Sequence, residues 1–563
     1  MRILVSLSVI VGTCICVSNI EPPKIVLPHG GGVVGSYMTS VGGKGILAFR
    51  GIPYAEPPIG DLRFQAPEPI KPWVGEKLTN KDPNVCIQIN PYERNFTVFG
   101  EEDCLYLNVY VPQSPTNFQQ LPVMVYIHGG GWVTGNGNSN VNGPERLLDH
   151  DVILVIGNYR LGALGFLSTG TKDCPGNNGF KDQLLILKWV KHNIKVFGGD
   201  PDDVTLFGES AGSVSVAYHM YSHASKGLFH KAIMQSGSIF SGWAVVDSSI
   251  ATHRASKLGR LMNCTHFEDN WMEMIECLKK KPAADIVLSV KEYFEFDIDP
   301  VIAFAGVVEV DHEGSFLSKH PKDINPPPNG DIPLIIGGTA DEGVIKSAPI
   351  LNLLNEEFTR KFYEVLPIIS GYKNKPKDIL TKILEQIDEF YFKDGHNWSK
   401  QNHQNLTNLF SDQRFNFGMD KFLRRRFASS NATDGKTFVY LFDHRGPKSA
   451  SEFFHGGQEY YGVCHTDDLP YIFYNNFSKL KGDENDTKLK TLMPELWTNF
   501  ARTGNPTPEG THLPLWLPAE GYPLQYAHIG SKNSEDWVVL RNEKGFLKER
   551  IQFWRKLEEE FDI

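Results

Sequence analysis

The stretch that most constrains this chain is Val204-Thr205-Leu206-Phe207-Gly208-Glu209-Ser210-Ala211-Gly212. Val204 to Phe207 is a short β-branched and aromatic run, the composition of a buried strand. From Ala211 onward the residues are small and apolar and read as a helix. A chain that leaves a strand and enters a helix within so few residues must turn sharply. The side chain at the apex is then exposed in a strained conformation, and flanking glycines let neighbouring backbone pass close by. A serine held there presents its Oγ outward, beside the free N–H groups of a helix N-terminus.

A second motif lies upstream. The apolar strand Pro122-Val123-Met124-Val125-Tyr126-Ile127 runs into His128-Gly129-Gly130-Gly131-Trp132. Three successive glycines cost backbone entropy, and they make sense where backbone must come within hydrogen-bond range of a ligand. An H-G-G-G loop supplies oxyanion-binding N–H groups in lipases and esterases. The two motifs, in this order and context, are the pattern of a serine hydrolase with the α/β-hydrolase fold.

The chain has 563 residues, yet no linker, low-complexity tract or repeat divides it. One large α/β domain over residues 19–563 is expected. The net charge of −10 offers no basic surface for nucleic acid, and Arg424-Arg425-Arg426 reads as a solvated helix face. Met1-Arg2 followed by a short apolar run to Val11, with small residues near Cys16-Val17-Ser18, has the shape of a secretory signal over residues 1–18. No second run of membrane-spanning size follows, so a secreted, soluble product is expected. N-x-S/T sequons at Asn95, Asn397, Asn405, Asn431, Asn476 and Asn485 fit a glycosylated export, and Asn263 is a seventh match beside a cysteine. Beyond the signal, Cys86 with Cys104 and Cys264 with Cys277 each span a short local loop. Cys174 and Cys464 remain, read as free buried thiols, with a bridge between them as the alternative the residues leave open.

Further strands are expected at Gly30–Gly35 and Gly45–Phe49 (an N-terminal hairpin), Glu101–Val111, Asp151–Ile156, Lys231–Gly237, Ile332–Gly338 and Thr437–Phe442. Asp182–Lys191 has helical spacing, and Gly198-Gly199-Asp200-Pro201 stops it. Strands alternating with helices point to a mostly parallel sheet with helices on both faces. The stretches 238–331 and 344–436 are expected to be helical insertions that wall the site, and 548–561 an amphipathic terminal helix.

Ser210 needs a base, and the base needs an orienting acid. In this fold the chain order is serine, acid, histidine. Asp341 and Glu342 both follow a strand end, and spacing does not separate them. Of the later histidines, His465 lies in a loop before an apolar segment.

Taken together, Phe49-Arg50-Gly51-Ile52-Pro53-Tyr54-Ala55, Glu102-Asp103-Cys104-Leu105-Tyr106-Leu107-Asn108, His128-Gly129-Gly130-Gly131, Gly157-Asn158-Tyr159-Arg160, Gly208-Glu209-Ser210-Ala211-Gly212, Asp341-Glu342-Gly343 and Gly462-x-x-His465 resemble the type-B carboxylesterase/cholinesterase family over nearly the whole chain. The resemblance implies Glu342 as acid, His465 as base, and oxyanion donors from Gly130, Gly131 and Ala211. It implies bridges Cys86–Cys104 and Cys264–Cys277 and an Arg50–Glu102 ion pair. It places Trp243 in the acyl pocket, with Trp132 facing the same cavity. The implied substrate is a small-molecule ester, with no metal or organic cofactor. The loop from Cys86 to Cys104 contains Tyr92, Phe96 and Phe99 but no tryptophan to stack on a quaternary ammonium, which disfavours choline esters. The chain is most similar to secreted insect-type carboxylesterases of general range. Juvenile hormone or odorant/pheromone esterases, and a non-catalytic binding or adhesion protein, are the alternatives. Oligomeric state is not legible in the residues.

Overall fold

A computed structural model of the chain describes residues 21–28, 30–113, 120–264, 270–429, 436–455, 457, 459–531 and 538–563. The signal segment 1–18 and Asn431 lie outside the described residues. The frame is an eleven-stranded sheet. Its strands, numbered along the chain, are β1 (Ser36–Thr39), β2 (Gly45–Pro53), β3 (Tyr106–Pro112), β4 (Leu121–Ile127), β5 (Ile153–Gly157), β6 (Gly199–Glu209), β7 (Lys231–Gln235), β8 (Leu334–Thr339), β9 (Thr437–Phe442), β10 (Gln525–Ile529) and β11 (Leu540–Lys544). Across the sheet the order is β11-β10-β9-β8-β7-β6-β4-β5-β3-β2-β1. From β5 to β10 every neighbouring pair is parallel, and antiparallel pairs close both edges.

The near-continuous apolar strands follow from burial on both faces. Side chains alternate between two cores. Val123, Val125, Ile127, Val204 and Leu206 enter one, while Met124, Tyr126 and Phe207 enter the other. Helix α1 (Asn178–Asn193) and helix α2 (Ala211–Tyr221) cover the first face. A helix over Glu484–Thr503 covers the second with Leu489, Leu492, Met493, Leu496, Trp497 and Phe500.

The expected N-terminal hairpin is built differently. Gly32–Val34 joins a separate small sheet with Lys24–Val26 and Glu76–Leu78, and it is Ser36–Thr39 that folds back on Gly45–Pro53. The glycine-rich turn at Gly42-Gly43 joins a shorter hairpin than the residue pattern suggested. The Glu101–Val111 strand begins only at Tyr106, because the Glu101 backbone bonds instead to Val85 and Ile87 and the Cys104 carbonyl accepts from the Tyr106 N–H in a turn. Both expected bridges, Cys86–Cys104 and Cys264–Cys277, are closed, and Cys174 and Cys464 are free and buried.

Both insertions carry helices, among them Ser248–Leu261 in the first and Lys377–Phe392, Gln404–Ser411 and Phe417–Ala428 in the second. The arginine run on Phe417–Ala428 is not a solvated face. Arg424 pairs with Asp420 and Glu558, Arg425 donates to the Lys322 and Ile324 carbonyls, and Arg426 donates to those of Gly330 and Ile332. These contacts bind the insertion to the first one and to the sheet's flank.

Glycine at the β6–α2 turn is a steric requirement. A Cβ on Gly212 would lie 2.0 Å from the Ile127 carbonyl oxygen, so α2 touches the end of β4 through backbone alone. Gly212→Ala is expected to cost about 3 kcal/mol, seen as a lower urea midpoint than the parent chain.

Candidate active site

Ser210 is the apex of the turn between β6 and α2. Its backbone sits at φ 57°, ψ −124°, outside the helical and extended regions. Backbone conformations of this kind persist only where the surroundings over-determine them. Here the Ser210 N–H donates to the Gln235 carbonyl at 2.8 Å, while its own carbonyl accepts from Val214 N–H, the first turn of α2. The residue is 9 % exposed.

Two loops from the same edge of the sheet meet it. Glu342 follows β8, and His465 follows the segment after β9. His465 Nε2 lies 2.8 Å from Ser210 Oγ, and His465 Nδ1 lies 2.6 Å from Glu342 Oε2. Glu342 Oε1 accepts from the Thr339 N–H at 2.8 Å, which fixes the carboxylate's orientation. Asp341, which spacing could not separate from Glu342, does different work. Its Oδ2 accepts from Val463 N–H and its own N–H donates to the Val463 carbonyl, so it clamps the loop that carries the histidine. Serine, imidazole and carboxylate thus form one hydrogen-bonded chain, able to move a proton off the hydroxyl.

The H-G-G-G loop runs beside Ser210. A Cβ on Gly129 would stand 2.6 Å from Glu209 Oε2 and 3.1 Å from Ser210 Cβ. Gly130 and Gly131 adopt φ +103° and +64°. Among the described residues neither N–H donates to a protein acceptor. Ala211 opens α2, where the helix has no acceptor for its N–H. Together these are the free donors an oxyanion needs. His128 is no part of the proton chain. Burial lowers its pKa to about 4 despite a contact with the Gly129 carbonyl, and it stacks on Tyr159 at 4.3 Å.

The geometry corresponds to a known pattern. The model of the carboxylesterase family matches residues 22–554. The chain belongs to the carboxylesterase family, whose members are serine carboxylic-ester hydrolases. It is 35 % identical to the juvenile hormone esterase of Tribolium castaneum, covering 96 % of this chain and 95 % of that one. It is also 35 % identical to esterase FE4 of Myzus persicae, over 92 % and 91 % of the two chains. The crystal structure of juvenile hormone esterase from Manduca sexta superposes with a TM-score of 0.81 at 28 % identity, covering 96 % of this chain and all of that one.

In this carboxylesterase Ser210 and His465 open onto a cavity of about 70 Å³. Its walls include Gly130, Gly131, Trp243, Ile302, Phe415 and Tyr92, the last contributed by the first disulfide loop. Both insertions supply walls. Trp243 lines the cavity, its indole N–H held by the Arg414 carbonyl at 2.8 Å. Trp132 does not. It is fully buried behind Trp243, with ring centroids 5.6 Å apart, and its indole donates to Ser215 Oγ. The implied Arg50–Glu102 pair is also replaced. Glu102 is bound bidentately by Arg63, at 2.6 and 2.7 Å, while Arg50 faces Asp82 at 3.7 Å. Arg63 also donates to the Leu278, Lys279 and Lys281 carbonyls at a helix C-terminus. One planar fork therefore joins the two disulfide-bearing regions.

Several site residues have no motif of their own. Burial raises the pKa of Glu209 to about 8, and its Oε1 lies 3.1 Å from His465 Nε2. Burial lowers the His465 pKa, but Glu209 and Glu342 outweigh it and hold the imidazole above its ordinary value. Behind them Asp468 Oδ2 accepts from Gln235 and Tyr440, each at 2.9 Å. Glu209 was visible only as the x of G-x-S-x-G, a position the turn itself leaves free. The sequons at Asn95, Asn397, Asn405 and Asn476 are exposed, and Asn485 is half-buried on the Glu484–Thr503 helix.

A carboxyl whose native pKa exceeds its unfolded value costs stability above the unfolded value, and the cost grows until pH reaches the native one. For Glu209 that window runs from 4.5 to about 8. Glu209→Gln is therefore expected to gain melting temperature over the parent progressively across this window. Thermal unfolding at stepped pH checks it.

Proposed function

We propose that this carboxylesterase acts through an acyl-enzyme on Ser210. The observation that carries the reading is the continuous chain Ser210 Oγ–His465–Glu342, with links of 2.8 and 2.6 Å, on a serine held at positive φ. His465 Nε2 takes the hydroxyl proton as Oγ bonds to the ester carbonyl carbon. The carbonyl oxygen becomes an oxyanion and is held by the N–H groups of Gly130, Gly131 and Ala211. As the tetrahedral species collapses, the C–O bond to the alcohol breaks and the alcohol leaves with the proton from His465. A water then gives its proton to His465 and bonds to the acyl carbon. Collapse returns that proton to Ser210 and releases the acid. Glu342 keeps the imidazole in the tautomer this needs and stabilises its cation.

The juvenile hormone esterase of Manduca sexta, solved with OTFP covalently attached, supports a nucleophile in this fold. The small cavity, with Arg414 on its wall, and the absence of a tryptophan from the first disulfide loop favour uncharged-alcohol esters over choline esters. The sequon-bearing surface and the N-terminal segment support a secreted glycoprotein, a single domain after residue 18. Among the described residues no helix is long and apolar enough to cross a membrane.

An alkyl fluorophosphonate is expected to label the wild-type chain and leave Ser210→Ala unlabelled. Ser210→Ala and His465→Gln are expected to lose about 10⁵–10⁶-fold in kcat, and Glu342→Gln about 10⁴-fold, on a short-chain nitrophenyl ester. A folded wild-type chain that takes no label would overturn the reading.

A further inference from the structure

The wall of the serine cavity carries a positive charge without a counter-charge. Arg414 is 9 % exposed. It lines both the cavity of about 70 Å³ at Ser210 and an adjoining cleft of about 560 Å³. One guanidinium nitrogen, Nη1, donates to the Ile369 carbonyl at 2.8 Å. Among the described residues the remaining guanidinium N–H groups have no acceptor and the side chain has no carboxylate partner. Of the other cations on these walls, Arg254 in the larger cleft donates to the Ala303 carbonyl at 2.7 Å and Lys373 pairs with Glu295. At the serine cavity itself Lys346 is held bidentately by Asp299 at 2.6 Å. The acid nearest in the chain, Asp412, is occupied by Arg550 and by the Tyr391 hydroxyl. Arg414 lies on a π-helical turn, Asp412–Asn416, that also carries Phe415 against the His465 ring at 4.6 Å. The guanidinium's charge acts on Tyr92 and Lys346 across the same cavity. The Tyr92 hydroxyl has no protein partner among the described residues and stands on that wall.

A buried, unpaired guanidinium is costly, and the cost is offset when a ligand brings the missing anion. We propose that this site takes esters bearing a second, ionised carboxylate, and that Arg414 binds that carboxylate while Ser210 attacks the ester. The proposal rests on the serine-esterase reading and adds the substrate class: half-esters of short dicarboxylic acids, released as the free diacid. The guanidinium fork matches a carboxylate with two parallel N–H donors, and the Tyr92 hydroxyl adds a third. The serine chemistry is unchanged, since the distal carboxylate orients the acyl chain and takes no part in bond making. A quaternary ammonium in the same cavity meets a like charge.

The test compares monoethyl glutarate with ethyl pentanoate, which has the same chain length without the charge, on the purified full chain. The wild type is expected to favour the half-ester in kcat/KM, and free glutarate is expected to compete with ethyl pentanoate. In Arg414→Met the ratio of the two kcat/KM values should fall about 10- to 100-fold, with Arg414→Lys intermediate. The wild-type preference should also shrink as salt rises. A wild type that does not favour the half-ester, or a ratio unmoved by Arg414→Met, overturns the proposal. If Arg414→Met does not fold, glutarate competition and salt dependence in the wild type decide it. Fluorophosphonate labelling of Ser210 in the same preparation separates the two failures. Label without half-ester preference sinks this inference alone, whereas no label sinks the esterase reading beneath it.

Discussion

Everything at the site depends on the close approach of backbone to backbone at the end of β4 and β6. Gly208 and Gly212 bracket Ser210, and a Cβ on either would run into carbonyl oxygens at 2.7 Å or less. Because no side chain intervenes, α2 begins directly over the strand ends. Its free N–H groups then point to where the serine hydroxyl emerges. The left-handed serine is tolerated because the Gln235 carbonyl on β7 and the first turn of α2 hold it from both sides. The parallel centre of the sheet is what brings β4, β6, β7 and β8 to a common edge, so that their following loops converge on one point.

Electrostatics then sets what that point can do. The imidazole lies between two carboxylates that are held in different ways. Glu342 is tied by a backbone N–H and a close bond to Nδ1, whereas Glu209 sits against Nε2 without a hydrogen bond of its own at Oε1. Burial raises the pKa of Glu209, while the charge it shares with His465 Nε2 pulls that pKa down and pushes the imidazole's up. Asp341 contributes by clamping the backbone of the histidine loop, so adjacent acids in one tripeptide have separate tasks. Arg414 and Lys346 extend the same logic to the cavity wall, one cation neutralised within the protein and the other left for something outside it.

Much of this was legible in the residues. The two glycine motifs, the alternating strand runs and the short cysteine loops are local patterns, and local sterics dictates their structure wherever they occur. Resemblance then chose Glu342 over Asp341, which spacing had left open. It erred where a partner is chosen by long-range packing. Glu102 pairs with Arg63 because Arg63 also closes a helix C-terminus more than 200 residues away, and Trp132 turns into the core because Ser215 offers an acceptor there. The N-terminal strand went to a different sheet because Glu76–Leu78, distant in sequence, pairs with it.

By itself the sequence determined the strand-turn-helix bend, the glycine loop beside it and the parallel sheet that carries both. Each of these follows from which backbone conformations and apolar periodicities a short segment permits. Only the tertiary structure decided which arginine meets Glu102, which tryptophan faces the cavity and which cavity cations find a carboxylate. Those outcomes depend on where independent loops come to rest, and a buried charge or aromatic ring is placed by all of its neighbours at once.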